Sequence, residues 1–143
     1  MIDSNIGLSS ASFYPDMNTE DTIKVMSNIQ FHMGEIFLNS PCEFTEDFAK
    51  LLKYKKEEHN FKINSIHAFS TLFEPYLFDI YNRRRKDMLE CFKRVCKLAN
   101  IVGAKCYTFH GMRLQNFNDL DMKFIVDIYN ELNYIALEND VKL

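Results

Sequence analysis

Short apolar runs alternate along this chain with longer stretches in which apolar side chains recur every third or fourth position, the two periods that mark strands and amphipathic helices. Ile6-Gly7-Leu8 predicts a first strand, followed by the polar loop Ser9-Ser10-Ala11-Ser12. Asn18 is a suitable N-cap with Asp21 three residues on, and Thr22, Val25, Met26 and Ile29 carry a helix to about Gln30. Met33–Leu38 predicts a second strand, stopped by Asn39-Ser40-Pro41 because proline cannot join a central ladder. Thr45 then caps a second helix. Its buried stripe is Phe48, Leu51, Leu52 and the stem of Lys55, and Lys50, Lys53, Lys56 and Glu57 form its solvated side. Phe61–His67 is the third strand. Met88, Leu89, Phe92, Val95, Cys96, Ala99 and Val102 share one face of a third helix, with Gly103 placed for a left-handed cap. Lys105–His110 is the fourth strand, and Met122, Ile125, Tyr129, Leu132 and Ala136 line a fourth helix that Asn118 or Asp119 can cap. Asn139-Asp140-Val141-Lys142-Leu143 reads as a turn and the opening of another strand. The order is (βα)4 with a fifth strand just begun, which implies a parallel sheet with right-handed crossovers.

Two of the predicted strands, Lys62-Ile-Asn-Ser-Ile-His67 and Lys105-Cys-Tyr-Thr-Phe-His110, finish in histidine. In folds of parallel strands the C-terminal strand ends are where chemistry is placed, so His67 and His110 point to one active-site rim. Glu35 lies inside the second strand, where a carboxylate must be paired or its ionised form is penalised. It either faces a substrate or pairs with a strand lysine such as Lys62 or Lys105. His32, in a connection, and His59, in the polar last turn of a helix where the dipole favours it, read as surface residues. Phe69, Phe73, Tyr76, Phe78 and Tyr81 crowd a connection too long for a plain linker. A short helical turn is expected there, its aromatics either walling a pocket or packing over the sheet end. Arg83-Arg84-Arg85-Lys86 opens the third helix against its dipole, which fits either a phosphate-bearing substrate or a solvated face.

At 143 residues the chain has room for one domain with a real core, and 47% hydrophobic against 26% charged residues is a globular composition. Four glycines and three prolines leave no linker, so residues 1–143 read as a single domain. The net charge of -3 withholds the basic field that nucleic-acid binding draws on and favours a small-molecule partner. Cys42, Cys91, Cys96 and Cys106 have no Cys-x-x-Cys spacing and are expected to be reduced and mostly buried. With no basic-then-apolar leader and no run of about 18 apolar residues, no membrane is implied and a cytoplasmic location follows by default.

Gly34-Glu35-Ile36-Phe37-Leu38, Ile66-His67-Ala68, Lys97-Leu98-Ala99-Asn100-Ile101-Val102-Gly103-Ala104 and Phe109-His110-Gly111, in this order and spacing, resemble the xylose isomerase-like TIM barrels. That superfamily includes sugar phosphate isomerases and epimerases and the apurinic-site endonucleases. The resemblance covers nearly the whole chain and implies the N-terminal half of a barrel: a (βα)4 unit, one incomplete TIM-barrel domain. The family's principal carboxylate ligands and proton-transferring glutamates belong to the other half. The resemblance implies that His67 and His110 orient a sugar or sugar phosphate in the epimerase branch, with Glu35 as a third substrate-binding residue; in the endonuclease branch the matching histidines bind metal. His67, His110 and Glu35 do not amount to a metal set, so a divalent Mn, Mg or Zn ion is expected only in the complete barrel. No catalytic residue is assigned within these 143 positions, and the chain alone is expected to be inactive. Exposed strand edges further imply a second half-barrel chain or self-association. The competing readings are an apurinic-site endonuclease-like phosphodiesterase and a non-catalytic remnant or interaction module.

Overall fold

The computed structural model of the protein describes residues 5–69, 73–112 and 121–143. Four parallel strands form one sheet in the order β1-β2-β3-β4: β1 is Leu8–Ser9, β2 Met33–Leu38, β3 Lys62–Ala68 and β4 Cys106–Thr108. They alternate with α1 (Thr19–Asn28), α2 (Glu46–Glu58), α3 (Asn82–Val102) and α4 (Met122–Glu138). The helices pack in sequence order, each against the next. The expected (βα)4 order is therefore present. Lys142 adds one parallel bridge to Cys106, so the strand-like opening at the end of the chain lies on the outer edge of β4.

The sequence signals act where their chemistry says they should. Thr45 accepts the Phe48 N–H at the start of α2, and Gly103, at φ 75°, ends α3 in the left-handed region; Asn18 occupies the N-cap position of α1, but its side chain makes no cap bond and donates to Asp21 Oδ2 at 3.3 Å instead. The cap of α4 is Asp121, which accepts the Phe124 N–H, whereas Asn118 and Asp119 lie outside the described residues. β1 starts two residues later than expected and is followed by a 3-10 turn, Ser10–Phe13. The aromatic connection carries the expected helical turn as a 3-10 turn at Glu74–Phe78.

The buried stripes are rotated from the expected ones. α1 buries Ile23 and leaves Ile29 exposed, α2 buries Ala49 and Leu52 but not Leu51, and α4 buries Ile128 and Ile135 while Met122 and Tyr129 stay exposed. Each helix carries more apolar positions than one face holds, and contact with the sheet selects among them. Ile36, Leu38, Ile63, Ile66, Ala68 and Tyr107 supply the sheet's side of that core. His59 corrects a second expectation: its side chain is largely buried, 18% exposed, at the α2 C-terminus with Nε2 3.5 Å from Glu58 Oε2. Its carbonyl accepts from Ser27 of α1, and that inter-helix contact withdraws it from the surface. The cysteines are all free, but only Cys96 is buried; Cys91 is half-buried, and Cys42 and Cys106 are exposed in the turn after β2 and on the sheet face away from the core.

An irregularity in β2–β3 pairing decides which side chains face away from the helices. Gly34 pairs with Ile63 but Glu35 pairs with Ser65, so Asn64 is an extra residue. In an unbroken register, with Asn64 paired to Glu35, His67 would fall opposite Leu38 and point toward the helices; with the slip, His67 pairs with Phe37 on the open face. Ser65, His67, Glu35 and Thr108 thus share one face.

Candidate functional site

Glu35 is the centre of the open face and gathers a group from each of the other three strands. Its Oε1 accepts from Ser9 Oγ at 2.9 Å, and its Oε2 accepts from Thr108 Oγ1 at 2.6 Å and Ser65 Oγ at 3.3 Å. His67 Nδ1 lies 3.5 Å from Oε1. The bond from His67, working against burial and helped by Thr108 and Ser9, holds the Glu35 carboxyl well below the usual carboxylate range, at about 2. Lys62 and Lys105 are not among its partners, so of the two alternatives the strand-lysine pairing is not the one formed: the open face offers hydroxyls and an imidazole instead.

His110 sits two residues beyond the last residue of β4, not within it. That placement corrects the expected strand span and puts His110 on the loop at the strand's C-terminal end. Its Nδ1 is 3.2 Å from Oε2 of Glu74, a carboxylate with 0% exposure. The same oxygen accepts the backbone N–H groups of His110 (2.6 Å) and Gly111 (3.0 Å), while Oε1 lies 3.4 Å from the Tyr107 hydroxyl. Burial pushes the Glu74 carboxyl up, with the His110 and Gly111 amides, the His110 ring and Tyr107 opposing it. Burial also raises the Tyr107 phenol well above its ordinary value.

The two imidazoles meet. Their ring centroids are 4.7 Å apart, and Phe37 closes on His67 from the other side with centroids 4.6 Å apart. His67, His110 and Glu35 are therefore one constellation, made of two carboxylate–histidine pairs side by side. Among the described residues His67 Nε2 is buried with no hydrogen-bond partner, as is His59 Nε2. Such an orphan is costly enough to call for a partner. Glu74 is the member that sequence reasoning missed. The available signal was its isolation, as the one acid between Phe61 and Phe78.

Two of the four cations in the basic run that opens α3, Arg84 and Arg85, are paired from within. Arg84 Nε is 2.6 Å from Asp79 Oδ2, Arg85 donates to the Asp79 carbonyl at 2.9 Å, and their guanidinium groups lie over Tyr81 and Phe124 respectively. Among the described residues no three or more His, Cys, Asp or Glu side chains are placed to hold a metal ion. Both Glu35 oxygens already have donors, so the rim does not fit a metal by itself and no step below is routed through one.

No protein-family model matches the chain, and no curated protein does. Solved structures do. A D-tagatose 3-epimerase-like protein superposes with a TM-score of 0.73 at 18% identity, covering 95% of this chain and 50% of that one. The fold matches the N-terminal half of a TIM barrel. A xylose isomerase domain protein from Planctomyces limnophilus matches this half-barrel with a TM-score of 0.70 at 14% identity, over 95% of this chain and 49% of its own. The 3-keto-D-glucoside 4-epimerase from E. coli matches with 0.68 at 16% identity, over 94% and 52%. The half-barrel thus spans about half the length of the structures it resembles.

Proposed function

We propose that the half-barrel carries the sugar-orienting part of an isomerase or epimerase site, with His67 and His110 addressing substrate hydroxyls and Glu35 in the same rim behind His67. The observation that carries this reading is the pair of abutting imidazoles at neighbouring strand ends, each backed by a carboxylate at Nδ1. With Nδ1 directed at a carboxylate, Nε2 is the atom left to address a ligand, and the unpartnered Nε2 of His67 is consistent with that use. In the complete reaction a carboxylate takes the proton alpha to the sugar carbonyl with help from a divalent ion such as Mn, Mg or Zn. Glu35 and Glu74 are already engaged by donors, and no metal set lies among the described residues, so on this reading the base and the ion come from outside the described residues. Internal pairing of Arg84 and Arg85 weakens the case for a phosphate on the substrate and favours the plain sugar. A cytoplasmic setting suits such chemistry; among the described residues no helix is long and apolar enough to cross a membrane.

Titration with D-tagatose, followed by the imidazole resonances of 15N-histidine-labelled protein, tests the proposal. Shifts confined to His67 and His110, abolished in His110→Ala, are expected. Shifts spread over His32 and His59, or none at saturating sugar, would sink it. Binding of abasic duplex at the same two resonances would transfer the site to the endonuclease branch. A second reading, the non-catalytic module, draws on the fact that every hydroxyl facing Glu35 is already spent on it.

A further inference from the structure

Glu74 has no place in the proposed sugar contact, yet it is fully buried, its Oε2 accepts the two backbone amides of the loop that presents His110, and the His110 Nδ1 lies 3.2 Å from the same oxygen. Two amides converging on one oxygen mark it as an acceptor. An acceptor facing Nδ1 favours a proton on Nδ1, and in the neutral imidazole that leaves Nε2 unprotonated. The carboxylate arrives from the 3-10 turn between β3 and α3, so it also ties the aromatic connection to the end of β4 across 36 residues of sequence.

We infer that Glu74 is the positioning residue of His110: it fixes the backbone at the C-terminal end of β4, sets the Nδ1–H tautomer, and thereby makes Nε2 a hydrogen-bond acceptor suited to a hydroxyl donor. This deepens the sugar-rim reading and rests on it for the identity of the ligand. A carboxylate that merely staples the loop needs the two backbone bonds but places no demand on the ring, and that difference makes the two roles separable.

Two-bond 1H–15N spectra of the 15N-histidine-labelled full chain, at a pH where the imidazole is neutral, read the tautomer directly. Wild-type His110 is expected to show Nδ1 in the protonated range and Nε2 in the unprotonated range. Glu74→Gln retains an amide oxygen for all three donors and should preserve both that pattern and the downfield His110 and Gly111 amide protons. Glu74→Leu should lose the amide shifts and move the His110 proton to Nε2. An Nε2–H tautomer in the wild type overturns the inference, as does a Glu74→Leu protein whose amides move while the tautomer does not. If Glu74→Leu fails to fold, the wild-type tautomer still decides. Because no sugar is present, an Nδ1–H tautomer together with a failed D-tagatose titration would retire the sugar reading and leave the role of Glu74 standing.

Discussion

Two glutamates of the rim respond to pH with opposite signs. Glu35 has a folded pKa of about 2 against an ordinary value of 4.5. It therefore contributes stability that is fully present above about pH 4.5 and is lost as pH falls toward 2. With its side chain 23% exposed, the shift corresponds to about 3 kcal/mol at neutral pH. Glu35→Gln should lose an amount of that order at pH 7 and converge on the wild type near pH 2, read as urea midpoints across the acid range; a constant offset at every pH would refute the linkage. Burial raises Glu74, so its cost is absent in acid and appears as pH climbs through about 4.5. The juxtaposition of His67 and His110 was legible in the sequence, because imidazoles repeat near neighbouring strand ends. Their carboxylates were not equally so. Glu35 was visible as a charge within a strand, but its hydroxyl partners come from three other strands, and Glu74 meets backbone N–H groups 36 and 37 positions away, which leave no trace in side-chain pattern.

At the scale of elements, β1 is the least secured member of the sheet, a two-residue strand docked on a glycine. A Cβ at Gly34 would lie 2.3 Å from the Leu8 carbonyl oxygen and 2.8 Å from Phe61 Cζ. Gly34→Ala should therefore cost about 1–3 kcal/mol, with amide exchange rising in β1 while β3 keeps its protection. Equal loss across all strands would show that β1 is not docked separately. Element type and order were readable from hydrophobic period, and the bounds of β2 coincide with Met33–Leu38 because Pro41 follows closely and glycine and apolar residues fill the run. The facing of β3 was not readable. It depends on the extra residue Asn64, and nothing in Lys62–Ala68 alone says where pairing slips. The same limit explains the rotated helix stripes: α4 presents Ile125, Ile128 and Leu132 to the core and leaves Met122, Val126 and Leu137 exposed, and both sets have helical spacing.

For the whole molecule, the sheet is covered by helices on one side, while its other side is a hydrogen-bonded polar layer around Glu35 rather than the branched apolar filling usual inside a closed barrel. A polar layer tolerates water, so this face is compatible with solvent. Among the described residues no strand pairs with the outer edge of β1, and that of β4 is engaged by Lys142 at one bridge, so association through an edge is expected at high concentration and should appear as concentration-dependent mass in sizing with light scattering. A compact monomer that melts cooperatively at every concentration would argue against it. The four thiols give an independent measurement. Cys96, pushed up to about 12 by burial, should resist a charged thiol reagent until the chain unfolds, and Cys42 and Cys106 should react at once. Cys106 alternates with Tyr107 and so shares the face of Thr108 and Glu35, the face a second half would cover. The protein thus contains its own footprinting probe: slowed labelling of Cys106, with Cys42 unchanged, would identify a partner by where it casts its shadow.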